Sequence, residues 1–199
     1  MSLSSTIALA LTLAAGQNVA DVRQLFDAGR YQEVVRASDT ATDEADKAAR
    51  LQYLAAQSYG KLNDLEGARR TYQRLAESGA NAWGLIGRSS LQLLDKQFDA
   101  AQASADQAAA AMPSLAESHF QRGLVLMARN DYGNAVDAFT KATAADPNFA
   151  AAYYYAGLAS YRVKRLDLMT NNFSTFVKLA PNAPERPEVE SILRTVRGR

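Results

Sequence analysis

The sequence contains no cysteine and one histidine, His119, among its 199 residues. A chain without cysteine has no disulfide, no thiol nucleophile and no zinc–thiolate site. With a single histidine it also lacks any site that needs two imidazoles. The absence of cysteine leaves the redox compartment open, because such a protein folds in reducing and oxidising surroundings alike.

An excess of charge of one sign is also missing. The 22 basic residues are balanced by 21 acidic ones, and the formal net charge is +1. Basic residues such as Arg69 and Arg74 lie beside Asp64 and Glu77, which is typical of a solvated helix face. No block of like charge provides the phosphate-neutralising surface that nucleic acids need, so we expect no nucleic-acid partner.

The apolar stretch at residues 7–15, IALALTLAA, is too short to span a bilayer as a helix. We therefore expect no stable membrane insertion. The stretch has the length of an export-signal core, although no basic residue precedes it. The protein could therefore be located in the cytoplasm or in the periplasm. Residues 1–16 could be a signal remnant, a tag-flanked helix or a structural cap.

The prolines reveal a period along the chain. Pro113, Pro147 and Pro181 lie 34 residues apart, and the same shift places Gly123 on Gly157 and Phe139 on Phe173. Further back the period continues, with a slip of one residue between the second and third units. A recurrence of this length predicts a stacked repeat array.

Each unit contains two helical patterns. In residues 116–147, Phe120, Leu124 and Met127 are spaced as on one helix face, and the letters RND mark a turn. A second pattern follows and ends at Pro147, which terminates a helix. We expect the small residue Gly123 of the first helix, and Ala135 and Ala142 of the second, to lie where the two helices approach closely.

These features resemble the tetratricopeptide repeat, a helix-turn-helix unit of about 34 residues. Residues 116–147 match nearly throughout, residues 49–80, 82–113 and 150–181 match in part, and residues 15–46 match weakly. Met169 and Phe176 depart from the pattern, where small residues are expected. The resemblance implies an all-α, right-handed α-solenoid of about five helix pairs over residues 17–181, with a C-terminal capping helix in residues 182–199.

The repeat register predicts the helix bounds. The C-terminal cap is expected from the apolar stripe formed by Val189, Ile192, Leu193 and Val196. The predicted helix pairs are 18–28 with 31–40, 47–62 with 65–78, 82–95 with 98–111, 115–129 with 132–145, and 149–163 with 166–179, followed by the cap at 187–197.

In the family, the first helix of each pair lines a concave groove. Carried onto this sequence, the groove positions predict a row of apolar and aromatic side chains. They also place Tyr154, the central residue of a three-tyrosine run, in the groove. The alternative is that so short a superhelix curls enough to bury the row. The predicted groove residues are Tyr53, Trp83, Ile86, Phe120, Leu124, Met127, Tyr154, Leu158, Tyr161 and Arg162.

The resemblance implies a non-enzymatic scaffold that binds a protein or peptide, as a monomer or weak homodimer, with no cofactor and no metal. His119 takes a core position of the repeat, and no nucleophile has a plausible base. The Lys, Asn and Arg clamp of relatives that bind acidic chaperone tails is missing from the groove positions. Two alternatives stay open: a structural component of a bacterial cell-envelope complex, and an accessory domain of a larger enzyme.

An array of this kind needs a cap at its N-terminal end as well. We expect residues 1–16 to dock on the uncovered face of the first repeat or, alternatively, in the groove of a neighbouring molecule. Either contact would bury leucine side chains, and each is worth about 1.5–3 kcal/mol.

Overall fold

A computed structural model describes residues 19–39 and 44–197, and within them every regular element is a helix. The helices form five consecutive helix–turn–helix pairs, followed by a single helix. They are α1 (Val19–Asp27) with α2 (Tyr31–Ser38), α3 (Ala45–Lys61) with α4 (Leu65–Ala76), α5 (Ala82–Leu94) with α6 (Phe98–Ala111), α7 (Ala116–Ala128) with α8 (Tyr132–Ala145), α9 (Ala150–Arg162) with α10 (Leu166–Leu179), and α11 (Arg186–Arg197).

The prediction of an all-α solenoid of helix pairs is confirmed, and each predicted helix bound lies within two residues of the observed one. The prediction that residues 1–16 dock on the array falls outside the described residues. None of the described helices has the length and apolar character needed to cross a membrane.

The repeat period is visible in the backbone of the turns. In every pair, a residue with positive φ lies two positions after the end of the first helix, and the next residue donates its N–H to a carbonyl five positions back. This is the Schellman arrangement, which satisfies the last carbonyls of a helix. The positive-φ residues are Gly29, Asn63, Lys96, Asn130 and Lys164; their spacing contains the single-residue slip seen in the sequence.

Small residues allow the two helices of a pair to approach closely. A Cβ built on Gly123 would lie 2.5 Å from the ring of Phe139, and Gly157 stands in the same relation to Phe173. Ala135 and Ala142 are fully buried against the same core. The expected role of Gly123 is therefore confirmed.

The C-terminal helix covers the last repeat. Val189 and Leu193 of α11 are buried in one cluster with Met169, Phe173 and Phe176. The two large side chains that depart from the repeat pattern, Met169 and Phe176, thus form part of the core beneath this cap. An amphipathic terminal helix performs this role because an array exposes an apolar face at each end.

The two ends of the array meet on its concave side. Arg23 of α1 donates to Glu117 at the start of α7, with 2.7 Å between Nη2 and Oε1, and also to Asp146. Its guanidinium lies 4.8 Å from the ring centre of Phe149. Lys61 forms a 2.7 Å ion pair with Glu185, 124 positions further along. These contacts close the solenoid on itself.

Candidate binding cavity

Closure of the array leaves a cavity of about 230 Å³ lined by residues of every repeat, which we call the central cavity. Its wall is formed by side chains of α1 to α5, α7, α9, α10 and the segment before α11. Aromatic rings reach this wall from the first, second, fourth and fifth pairs: Phe26, Tyr31, Tyr72, Phe120, Tyr154, Tyr155 and Phe176.

Tyr154 lies at the centre of the aromatic wall. Its ring centroid is 5.2 Å from that of Phe176 and 5.3 Å from that of Tyr155. Tyr155 in turn meets Phe120 edge to face, at 5.6 Å. Tyr153 instead packs against the C-terminal core. Helical spacing therefore sends two of the three neighbouring tyrosines into the cavity and the third away from it.

The mouth of the cavity is polar. Gln57, Gly60 and Lys61 at the end of α3 lie on one side, and Glu185 lies on the other. The Lys61–Glu185 ion pair lies on this polar side of the cavity, and both side chains are partly exposed.

Asp27, the last residue of α1, contributes a carboxyl group to the cavity wall. Burial raises its pKa from 3.8 to about 7; Arg23 opposes this shift, and the carboxylates of Asp146 and Glu185 add to it. Within residues 19–39 and 44–197, no hydrogen bond to the Asp27 side chain is formed. Because the carboxyl group is desolvated and no donor hydrogen-bonds to it, its ionised form is disfavoured.

Two tyrosines of the cavity wall also have raised pKa values. Burial raises the pKa of Tyr154 to about 12, with further contributions from Glu185 and Glu188. Burial also raises the pKa of Tyr31, where the positive charge of Lys61 works in the opposite direction. Partial burial and the neighbouring carboxylates thus both disfavour additional negative charge on these tyrosines.

Comparison of the sequence with models of known protein families identifies the type of repeat. Tetratricopeptide repeat models match residues 116–149 and residues 49–78. The chain contains tetratricopeptide repeats. A comparison with curated proteins gave no match.

Solved structures similar to this tetratricopeptide repeat protein include TTC0263, a thermophilic TPR protein in Thermus thermophilus. It is 18% identical, has a TM-score of 0.61, and the match covers 89% of this chain and 95% of that one. Another is YrrB, described as a TPR protein with an unusual peptide-binding site. It is 17% identical, with a TM-score of 0.53 and coverage of 87% and 90%. At these identities the likeness establishes the fold.

The structure separates the predicted groove residues of this tetratricopeptide repeat protein into three groups. The first group lines the central cavity and consists of Phe120, Leu124 and Tyr154. Of these, Phe120 is only 1% exposed, since Phe149 and Tyr155 cover its ring. Leu124 and Tyr154 are half-buried, so part of each side chain stays accessible on the cavity wall.

The second group belongs to the core between the repeats. The Tyr53 hydroxyl donates to Gln121 Oε1 at 3.2 Å, and the Trp83 indole donates to Asp46 at 2.6 Å. Ile86 is fully buried beside them. The curl of the superhelix covers these three side chains, as the alternative interpretation of the sequence anticipated.

The third group lies outside the cavity. Met127 and Leu158 are half-buried against the core clusters. Tyr161, at the end of α9, is 58% exposed. Arg162 is exposed and places its guanidinium 4.2 Å from the ring centre of Tyr132. The structure therefore brings only part of the predicted row together.

Several cavity residues were not predicted from the sequence: Asp27, Tyr31, Lys61 and Glu185. They reach the cavity only because the first and last repeats meet, and no local pattern encodes that contact. His119, predicted to be a packing residue, is buried with Nε2 2.8 Å from the carbonyl oxygen of Pro113. Among the described residues, no group of acidic or histidine side chains is arranged to hold a metal ion.

Proposed function

We propose that this protein is a non-catalytic scaffold that captures a protein partner by taking one side chain of that partner into the apolar, aromatic-lined central cavity. The tetratricopeptide repeat fold supports a role in protein–protein interaction. The aromatic wall of the cavity is the observation that carries the finer proposal, because half-buried aromatic side chains are the usual anchors of an interface. The similarly folded YrrB is itself described as having a peptide-binding site.

The size of the cavity fits a side chain rather than a folded surface. An apolar cavity of about 150 Å³ accepts one benzene molecule, so about 230 Å³ has room for one large side chain. The rest of a bound segment would lie across the mouth, over Gln57 and the Lys61–Glu185 pair. Recognition would thus combine one inserted anchor with polar contacts at the rim.

Selection from a library of random displayed peptides tests this proposal. Peptides that the wild-type protein enriches should bind the Tyr154→Ala variant more weakly by about 2 kcal/mol, or roughly 30-fold. Tyr161→Ala is the matched control, since it removes a tyrosine from the same helix outside the cavity. Equal binding by wild type and Tyr154→Ala, with both variants folded by circular dichroism, would place the binding surface elsewhere.

A further inference from the structure

We propose that the side chain taken into the central cavity is a lysine or arginine, carried by an otherwise apolar segment of the partner. The inference rests on the proposed function and specifies the chemistry of the anchor. It follows from three properties of the cavity: its unbalanced charge, its aromatic rings and the ion pair at its mouth.

The charges on the cavity wall do not balance. Its ionisable side chains are Asp27, Lys61 and Glu185, apart from the tyrosines. Lys61 is bound to Glu185 at 2.7 Å, so its charge is already neutralised. The nearest other cation, Arg23, donates to Glu117 and Asp146. Asp27 therefore remains without a partner of its own, and a ligand cation would supply one.

The aromatic rings of the cavity suit the same kind of ligand. Tyr31, Tyr154 and Tyr155 are half-buried and line the cavity together with Asp27. An ammonium or guanidinium group is attracted to such rings, and the attraction strengthens when water is excluded. The methylene stem of lysine or arginine would contact the apolar wall formed by Leu94, Leu124 and Phe176.

The alternatives to a cation fit less well. An anionic side chain would be repelled by the carboxylate of Asp27, which has no ion-pair partner, and by the Glu188 charge near Tyr154. A neutral apolar side chain would exclude water from the Asp27 carboxyl and leave it without any partner, which is unfavourable for a buried acid. A cation removes both difficulties. It also competes with Lys61 for Glu185, which gives the mouth a second acceptor for the incoming charge.

The experiment uses random displayed peptides and the full chain. Wild type should enrich peptides with one basic residue between apolar neighbours, and Asp27→Asn should lose that preference. For the best enriched peptide, replacing its basic residue by norleucine should weaken binding to wild type at least about tenfold and to Asp27→Asn less than about threefold. Asp21→Asn, on the same helix and exposed, should behave as wild type.

The outcomes separate this inference from the proposed function. Enriched peptides without a common basic residue, or with equal loss on norleucine substitution in wild type and Asp27→Asn, overturn the cationic anchor and leave the apolar cavity as the binding site. Failure to enrich any peptide overturns both. Thermal melts of Asp27→Asn confirm that a lost preference comes from the carboxylate and not from unfolding.

Discussion

Arg23 and Glu117 join helices that are 94 positions apart in the chain, through a contact of 2.7 Å between Nη2 and Oε1. The Glu117 side chain is only 2% exposed, and Arg50 Nε lies 3.5 Å from the same carboxylate oxygen. A carboxylate this deeply buried depends on its cationic neighbours. The contact therefore links the first repeat to the fourth, and we expect the stability of the folded protein to depend on it.

We expect Arg23→Ala to destabilise the protein by about 3 kcal/mol, because it leaves the buried Glu117 charge with one distant partner. Chemical denaturation measures this change. Arg69→Ala is the control, since the Arg69–Asp95 pair is exposed on both sides and should change stability little. Equal and small effects of the two substitutions would show that the ends of the array do not meet in solution.

Closure should also make unfolding cooperative. The single tryptophan, Trp83, is buried near Tyr53 and reports the N-terminal half of the array by fluorescence. We expect its unfolding transition to coincide with the loss of helix measured by circular dichroism. In Arg23→Ala the two transitions should separate, as in an open array whose repeats unfold by neighbour contacts alone. Separate transitions in wild type would contradict a closed array.

Gly123→Ala should destabilise by about 1–3 kcal/mol, because the new methyl group would overlap the buried ring of Phe139. Gly133→Ala is a matched control in the partner helix, α8. Nothing lies within 4 Å of a Cβ at position 133, so that substitution should be neutral or stabilise by up to about 1 kcal/mol. Thermal or urea melts distinguish them, and equal stabilities would contradict the close approach of α7 and α8.

The pKa of Asp27 predicts how stability depends on pH. Burial raises this pKa from 3.8 to about 7 on folding; Arg23 lowers it, and Asp146 and Glu185 raise it. Lys61 and Tyr31 line the same cavity. Between these two pH values the folded state holds a proton that the unfolded state has lost. Stability should therefore fall as pH rises through this window and stay lower above pH 7.

Asp27→Asn should remove this dependence. One pKa unit corresponds to about 1.4 kcal/mol, so the variant should gain stability at pH 8 by up to about 4 kcal/mol and little at pH 4. Urea denaturation across the pH range measures the difference. Asp21→Asn, one turn or more away on the exposed side of α1, should keep the wild-type profile. A parallel profile for Asp27→Asn would mean that the carboxyl is well solvated.

The helices were predictable because their pattern is local. Prolines, turn residues and apolar spacing recur with each repeat, so the bounds of α6, α8 and α10 follow from sequence alone. Schellman turns at Asn63 and Lys96 reinforce them. The side chains expected in an open groove were less predictable, because Phe120 is covered by Phe149 and Tyr155, which the neighbouring repeat supplies.

The composition of the cavity lay beyond sequence reasoning for a different reason. Small rotations between successive repeats add up along a solenoid, and only their total brings Asp27 near Glu185. Lys61 looked like an ordinary basic residue at a helix end, and Glu185 like an acidic residue before a cap. Their meeting depends on the curvature of every repeat between them.

The Lys61–Glu185 pair, 124 positions apart, also bears on the order of events during folding. Closing so long a loop is entropically unfavourable until the intervening helices are formed. We infer that this contact forms after the rate-limiting step. Weakening it should accelerate unfolding and leave the folding rate nearly unchanged, so we expect this partly exposed pair to lengthen the lifetime of the folded state by a small factor.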